Sequence, residues 1–290
     1  ALTQLPTACI RDHVKCILPA GTYIDLSILH MEIGQAGLTP DRLMIDPNAV
    51  IVDPIFTQAE RALYLRERIG STLSGTGKAV SQRVLRGNDV TLAKHVSSLA
   101  PFVGNTKRCL RFLLDAGKHV VIEGTQGYGL SIFHTDCYPF ATSRDTTAAG
   151  FLAETGLSPF DVEHIVMVLR TFPIRVAGNS GPLPNEITWE VLTHESGSDK
   201  ELCEYTTVTH KIRRIARFDP ELVKKAISAN RPDVIVLNHV DYFDMSHQGA
   251  NDLTGHQLSE LVKIENSIGR KIDYIGNGPN TIIDISRRTS

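Results

Sequence analysis

Five short runs of apolar, largely β-branched residues recur along the chain: AVIVD at 49–53, HVVIEG at 119–124, EHIVMVLR at 163–170, DVIVLNHVD at 233–241 and KIDYIGNG at 271–278. Runs of this length with little polar alternation predict strands buried on both faces. Between them lie segments with helical periodicity: TQAERALYLRERIG (57–70), TKRCLRFLLDAGK (106–118), DPELVKKAISANRP (219–232) and TGHQLSELVKIENSIGR (254–270). In the third, Asp219 stands where an N-cap belongs and Pro220 at the first helical position, a common way for a helix to start. The alternation predicts an α/β fold with a mostly parallel central sheet flanked by helices. No repeat, low-complexity tract or clean linker interrupts it, so residues 1–290 read as a single domain.

Composition narrows the function classes. The chain has 290 residues, 42% hydrophobic, with 30 Lys and Arg against 32 Asp and Glu. A net charge of −2 gives no general attraction to nucleic acid or to a membrane surface, so local clusters must carry any anion binding. No apolar run approaches the ~20 residues needed to cross a bilayer, and no signal peptide opens the chain. Cys9, Cys16, Cys109, Cys137 and Cys203 are odd in number and lack metal-ligand spacing, which fits free thiols in a reducing cytoplasm. Cys137 reads as a small buried filler. The first residue is Ala1, in a stretch that reads as the middle of a domain, and a preceding segment is expected.

Candidate chemistry concentrates in loops. Residues 123–150, EGTQGYGLSIFHTDCYPFATSRDTTAAG, place four glycines and a run of hydroxyl and amide side chains directly behind an apolar run. In open α/β sheets the crevice beyond the carboxyl ends of the strands is where ligands sit. A second glycine-rich stretch, IGSTLSGTGKAVSQRVLRG (69–87), suits either a phosphate site or a surface turn. It is not a Walker A loop, because Thr72 stands at the first glycine and Ala79 at the magnesium hydroxyl. Lys211, Arg213, Arg214 and Arg217 follow three threonines and are expected to present one cationic face to carboxylates or phosphates. Asn238, His239 and Asp241 end an apolar strand, where Asp241 can accept two hydrogen bonds from guanine or merely cap a helix. His134 and His210 are lone loop histidines, more often fixtures than catalysts.

In this order the motifs resemble the adenylosuccinate synthetase family: LPTACI, IGSTLSGTG, EGTQG, YPFATS, DTTAAG, RTFPIRV, PLPNE, TTVTHKIRR, NHVD and GNGP, over nearly all of the chain. The resemblance implies a P-loop-related α/β fold and an enzyme that joins L-aspartate to IMP with GTP and Mg²⁺. GTP would phosphorylate the purine 6-oxygen and the aspartate amine displace that phosphate, which needs a base, an acid or cation on the phosphoryl group, and magnesium. It further implies that Thr72, Gln126, Thr142 and Lys211 hold the nucleotide substrate, with Arg86 reaching its 5′-phosphate across a homodimer interface. Thr207, Val208, Thr209 and Arg213 fall on the aspartate loop. His239, Asp241, Asn277, Gly278 and Pro279 fall on the GTP base pocket.

The family's Gly-Asp-Glu-Gly-Lys-Gly loop and Gly-His-Thr histidine are absent from these residues, so the catalytic groups and most of the metal site are expected ahead of Ala1, with no metal ligand inside the chain. TSRD (142–145), RVAGNSG (175–181) and the TTVTHKIRR loop resemble the phage branch that makes 2-aminoadenylosuccinate from dGMP, typically with ATP, whereas Asp241 favours GTP. That branch, and a nucleotide-binding sensor without catalysis, are the alternatives to the IMP enzyme.

Overall fold

The computed structural model describes residues 2–206 and 210–286, arranged as two compact units, Ala1–Val162 and Glu163–Ser290.

The first unit contains β1 (Cys16–Leu18), β2 (Tyr23–Ile24), α1 (Leu26–Ala36), β3 (Leu43–Ile45), β4 (Val50–Ile51), α2 (Pro54–Ala62), α3 (Leu65–Ile69), α4 (Thr76–Leu85), α5 (Thr106–Asp115) and α6 (Ala148–Thr155). β1 pairs with β3 and β2 with β4, both parallel. Leu18, Ile24, Leu29, Leu43, Ile45 and Leu99 form the main core. Helix α1 starts where Asp25 accepts the backbone N–H groups of Ser27 and Ile28 and ends at Gly37, whose φ of 60° suits glycine. It buries Glu32, which accepts the N–H groups of Thr3, Gln4 and Leu5 and the Thr3 hydroxyl. Burial pushes the Glu32 carboxyl up, but these four donors outweigh it and hold the group below its ordinary value.

Two expectations fail in this unit. The run at 119–124 is not a buried strand: it pairs with no strand among the described residues, and Val121 is 88% exposed. β-branched content favours an extended backbone, yet a strand exists only where a neighbour completes its ladder. The segment 57–70 is not one helix, because Tyr64 adopts φ 52° and splits it into α2 and α3.

The second unit contains β5 (Val166–Arg170), β6 (Ile174–Arg175), β7 (Glu186–Ile187), α7 (Trp189–Glu195), β8 (Arg214–Ala216), α8 (Pro220–Asn230), β9 (Val234–Asn238), α9 (Gly255–Ile268), β10 (Tyr274–Gly276) and β11 (Ile282–Asp284). Its four-stranded sheet runs β11-β10-β9-β5, with β5, β9 and β10 parallel and β11 antiparallel. Leu169, Ile235, Leu237, Leu261, Ile264 and Ile275 pack its core. β5 is not buried on both faces, since Val166 and Val168 are 55% and 60% exposed. A small antiparallel sheet, β6-β8-β7, packs Ile215 against Phe172, Trp189 and Leu192. Asp219 caps α8 ahead of Pro220 as its sequence predicts, and Thr254 and Gln257 form a reciprocal capping box at α9.

Candidate functional site

In the first unit, three loop segments converge. The amide N–H groups of Gly75 and Lys78, at the start of α4, donate to the buried carboxylate of Glu60 at 2.9 and 3.1 Å. The glycine-rich turn is therefore anchored from within by a carboxylate, which takes the place an anion commonly fills at a helix N-terminus. Gly75 has φ 78°, and a Cβ there would stand 2.8 Å from Val52. A Cβ on Gly77 would meet Ser143 at 3.6 Å, so this turn lies against the 142–145 segment. Thr72 is exposed and Thr142 half-buried.

The long loop is organised around Asp145. Its carboxylate accepts the hydroxyls of Ser131 and Thr147 at 2.8 and 2.5 Å and the Thr147 N–H at 3.2 Å. His134 Nε2 lies 3.9 Å away, stacked on Tyr128. Burial raises the Asp145 pKa, and the three hydrogen bonds more than reverse it, leaving the carboxyl below its ordinary value. Arg144 pairs with Glu154 and donates to Gly21 O, so TSRD is a structural clasp. The Thr142 N–H donates to Leu130 O at 2.8 Å, and the Thr146 hydroxyl to Gly127 O at 3.0 Å. These bonds hold residues 127–130 against 142–146, with Gln126 exposed at φ 70°. Cys137 is half-buried rather than buried, and all five cysteines are free thiols. Arg86, at φ 56° beyond α4, lines an open cavity of about 420 Å³ with Arg83, Lys107, Asn48, Gly87 and Val90. Two arginines and a lysine give that cavity a positive lining suited to an anion.

In the second unit, the carboxyl ends of the parallel strands β9 and β10 lie side by side. Asp241, 3% exposed, sits in the turn after β9. Its Oδ2 accepts Gln248 Nε2 at 2.7 Å, while its buried Oδ1 has no hydrogen-bond partner among the described residues. Asn277, after β10, is fully buried and fully engaged: Nδ2 donates to His247 O and Ala250 O, and Oδ1 accepts Gln257 Nε2, each at 3.0 Å. It fixes the 247–250 turn. Gly278 has φ 121°, and Pro279 is exposed.

His239 lies beside Asp241 with its ring 4.8 Å from that of Tyr242. Burial, and then the Arg170 guanidinium, lower its pKa, which keeps the imidazole neutral. Tyr242 donates to Glu204 at 3.1 Å, and burial followed by the Glu204 charge pushes its phenol up. Glu204 also pairs with Arg170 and, at 3.4 Å, with Arg213.

The expected single cationic face is divided. Arg214 forms a two-pronged pair with Glu186 and Arg217 another with Glu195, so neither is a free anion receptor. Lys211 is exposed, with its backbone bonded to Thr206. Thr207, Val208 and Thr209 lie outside the described residues. Among the described residues no three His, Cys, Asp or Glu side chains cluster as a cation site. The Mg²⁺ that the family resemblance implies has no such donor set among the described residues. No helix among the described residues is long and apolar enough to cross a membrane.

Sequence reading missed Glu60, Glu204 and Gln248. A charged residue in an amphipathic helix, or a glutamine in a polar turn, reads as solvated, and only the fold reveals what it touches.

The adenylosuccinate synthetase family model matches residues 1–94 and 88–249. The adenylosuccinate synthetase of Thermococcus onnurineus is 32% identical over 99% of this chain and 84% of its own length, and that of Methanocaldococcus jannaschii 33% identical over 96% and 79%. Among solved structures, the succinoaminodeoxyadenylate synthetase PurZ of cyanophage S-2L, bound to dGMP and dATP as an energy donor, superposes with a TM-score of 0.77. It is 29% identical, over 95% of this chain and 77% of that one. The fully ligated Plasmodium falciparum adenylosuccinate synthetase shares the fold, with a TM-score of 0.82 at 19% identity, over 97% and 87%.

Proposed function

The chain belongs to the adenylosuccinate synthetase family, a family of C–N ligases acting on purine nucleotides, and from that premise we propose that it joins L-aspartate to C6 of IMP with GTP, through a 6-phosphoryl intermediate, giving adenylosuccinate. The observation that carries the choice of GTP is Asp241: a buried carboxylate at the carboxyl end of a parallel strand with one oxygen unpartnered. Guanine presents two N–H donors on one edge, and two carboxylate oxygens match them. A buried acceptor left unmatched costs about 1–3 kcal/mol, which a correctly shaped donor recovers.

Thr72, Gln126, Thr142 and Lys211 are the proposed contacts to the nucleotide substrate. Two features support this: the loops that carry the three unit-one residues are pinned by Glu60 and Asp145, and a pinned loop spends little entropy on binding. Arg86, exposed in a cationic cavity, suits a phosphate of a second protomer's substrate, hence a homodimer. Arg213 and residues 207–209 are the proposed aspartate grip, and His239, Asp241, Gly278 and Pro279 the donor-base pocket, whose shape Asn277 maintains. Residues 1–290 serve one synthetase function in the cytoplasm.

The test is to incubate the full-length protein with aspartate, Mg²⁺ and each pairing of IMP or dGMP with GTP or ATP, following the succinylated purine. IMP with GTP is expected to be the productive pair. Product from dGMP with ATP alone would assign the chain to the phage-type reaction, and product from no pairing would leave a nucleotide-binding protein without catalysis.

A further inference from the structure

We infer that Gln248 is a built-in stand-in for the donor base: it occupies the base-reading carboxylate in the free protein and must leave for the nucleotide to bind. The inference deepens the reading of Asp241 as the guanine contact and rests on it.

Gln248 belongs to an exposed turn, yet its Nε2 reaches a carboxylate that is 3% exposed and donates to Oδ2 at 2.7 Å. The neighbouring Oδ1 is buried and unpartnered, so neither oxygen is open to a ligand while the amide is seated. The seat itself is built. Asn277 holds the carbonyls of His247 and Ala250, on either side of Gln248 and Gly249, and the Gly249 N–H donates to Asn277 O at 2.6 Å. The Gln248 stem lies where a side chain at position 278 would otherwise stand, 3.1 Å from the place of a Gly278 Cβ. With the turn fixed, the side chain has only its own torsions to change, and its departure leaves the backbone in place.

The exchange favours guanine by a count of donors. Gln248 gives Asp241 one charge-assisted hydrogen bond. Guanine N1–H and N2–H replace that bond and satisfy Oδ1 as well. Adenine offers one donor beside an acceptor, so it can only trade one bond for one while its ring nitrogen faces the carboxylate. Free Asp241 is thus never wholly unpaired, and only a two-donor edge displaces its occupant with profit.

The experiment is calorimetric titration of GDP into the full-length protein, comparing wild type with Q248A, Q248N and D241N. Both Gln248 substitutions remove the competitor, the second keeping an amide one methylene too short to reach. Each is expected to tighten GDP binding about three- to tenfold, the scale of one solvent-compensated hydrogen bond, and D241N to weaken it. If the Gln248 variants bind GDP no better than wild type while D241N binds it worse, the stand-in role is overturned and the Asp241 reading stands. If D241N retains wild-type affinity, the base-reading assignment falls and this inference with it.

Discussion

Asp145 and Asp241 are both sheltered aspartates in polar loops, and on the proposed reading the difference between their surroundings separates scaffold from receptor. Asp145 receives two hydroxyls and an amide, and both its oxygens are engaged. Asp241 receives one amide and keeps one oxygen unmet in a buried position. A saturated carboxylate ties a loop to itself and has nothing left to offer a ligand. A half-satisfied one carries an uncompensated cost, which the proposed function assigns to a donor that the ligand supplies.

The sharpest way to break this contrast is D241N, which preserves shape and reverses one side of the hydrogen-bonding pattern. Its kcat/KM with GTP is expected to fall about 100-fold, with thermal stability close to wild type; steady-state assays and a melting curve check both, and an unchanged kcat/KM would sink the receptor role. D145A tests the scaffold side. It strands the Ser131 and Thr147 hydroxyls and should lower stability by about 2–3 kcal/mol, with IMP binding lost alongside, as denaturant titration and equilibrium binding would report. If D145A unfolds at the wild-type midpoint yet loses IMP, Asp145 is itself a ligand contact.

How far the sequence revealed these roles depends on the distance over which each signal acts. The Asp219 cap was legible because it is satisfied within three residues, whereas the Thr254 cap of α9, equally local, was not singled out. The strands at β5, β9 and β10 were legible because their apolar runs find one another in a parallel sheet. HVVIEG has the same composition and fails as a strand, since pairing is a property of two segments and composition describes one. The basic run at 211–217 looked like one cationic face; Glu186, Glu195 and Glu204 divide it, and no local pattern announces those partners. The position of Asp241 at a strand end was readable, since it follows the apolar run directly. Gln248, its occupant, lies in a turn whose letters suggest only solvent.

Two smaller effects refine the scaffold side. E60A removes the acceptor for the Gly75 and Lys78 amides and should cost about 1–2 kcal/mol, read by denaturant titration, with KM for IMP rising because Thr72 rides on that turn. An E60A protein as stable as wild type would show that water caps α4 equally well. The smallest effect is a pH dependence at Glu32. Its folded pKa lies below its ordinary 4.5, so its stabilisation is complete above that value and is lost as pH falls through the folded pKa. E32Q cannot titrate. The stability gap between wild type and E32Q, followed from pH 7 downward, should therefore narrow below about pH 4.5; parallel curves would remove Glu32 as a titrating anchor of the N-terminal segment.

The central claim, that Asp241 reads the guanine edge, is tested most directly by proton NMR of the N1 imino proton of GDP bound to the full-length protein. A hydrogen bond to the buried carboxylate is expected to move that resonance downfield and slow its exchange with water, and D241N should abolish the signal or return it to the free position. An imino proton that exchanges as fast in the wild-type complex as in free GDP, or one that D241N leaves unmoved, would contradict the account.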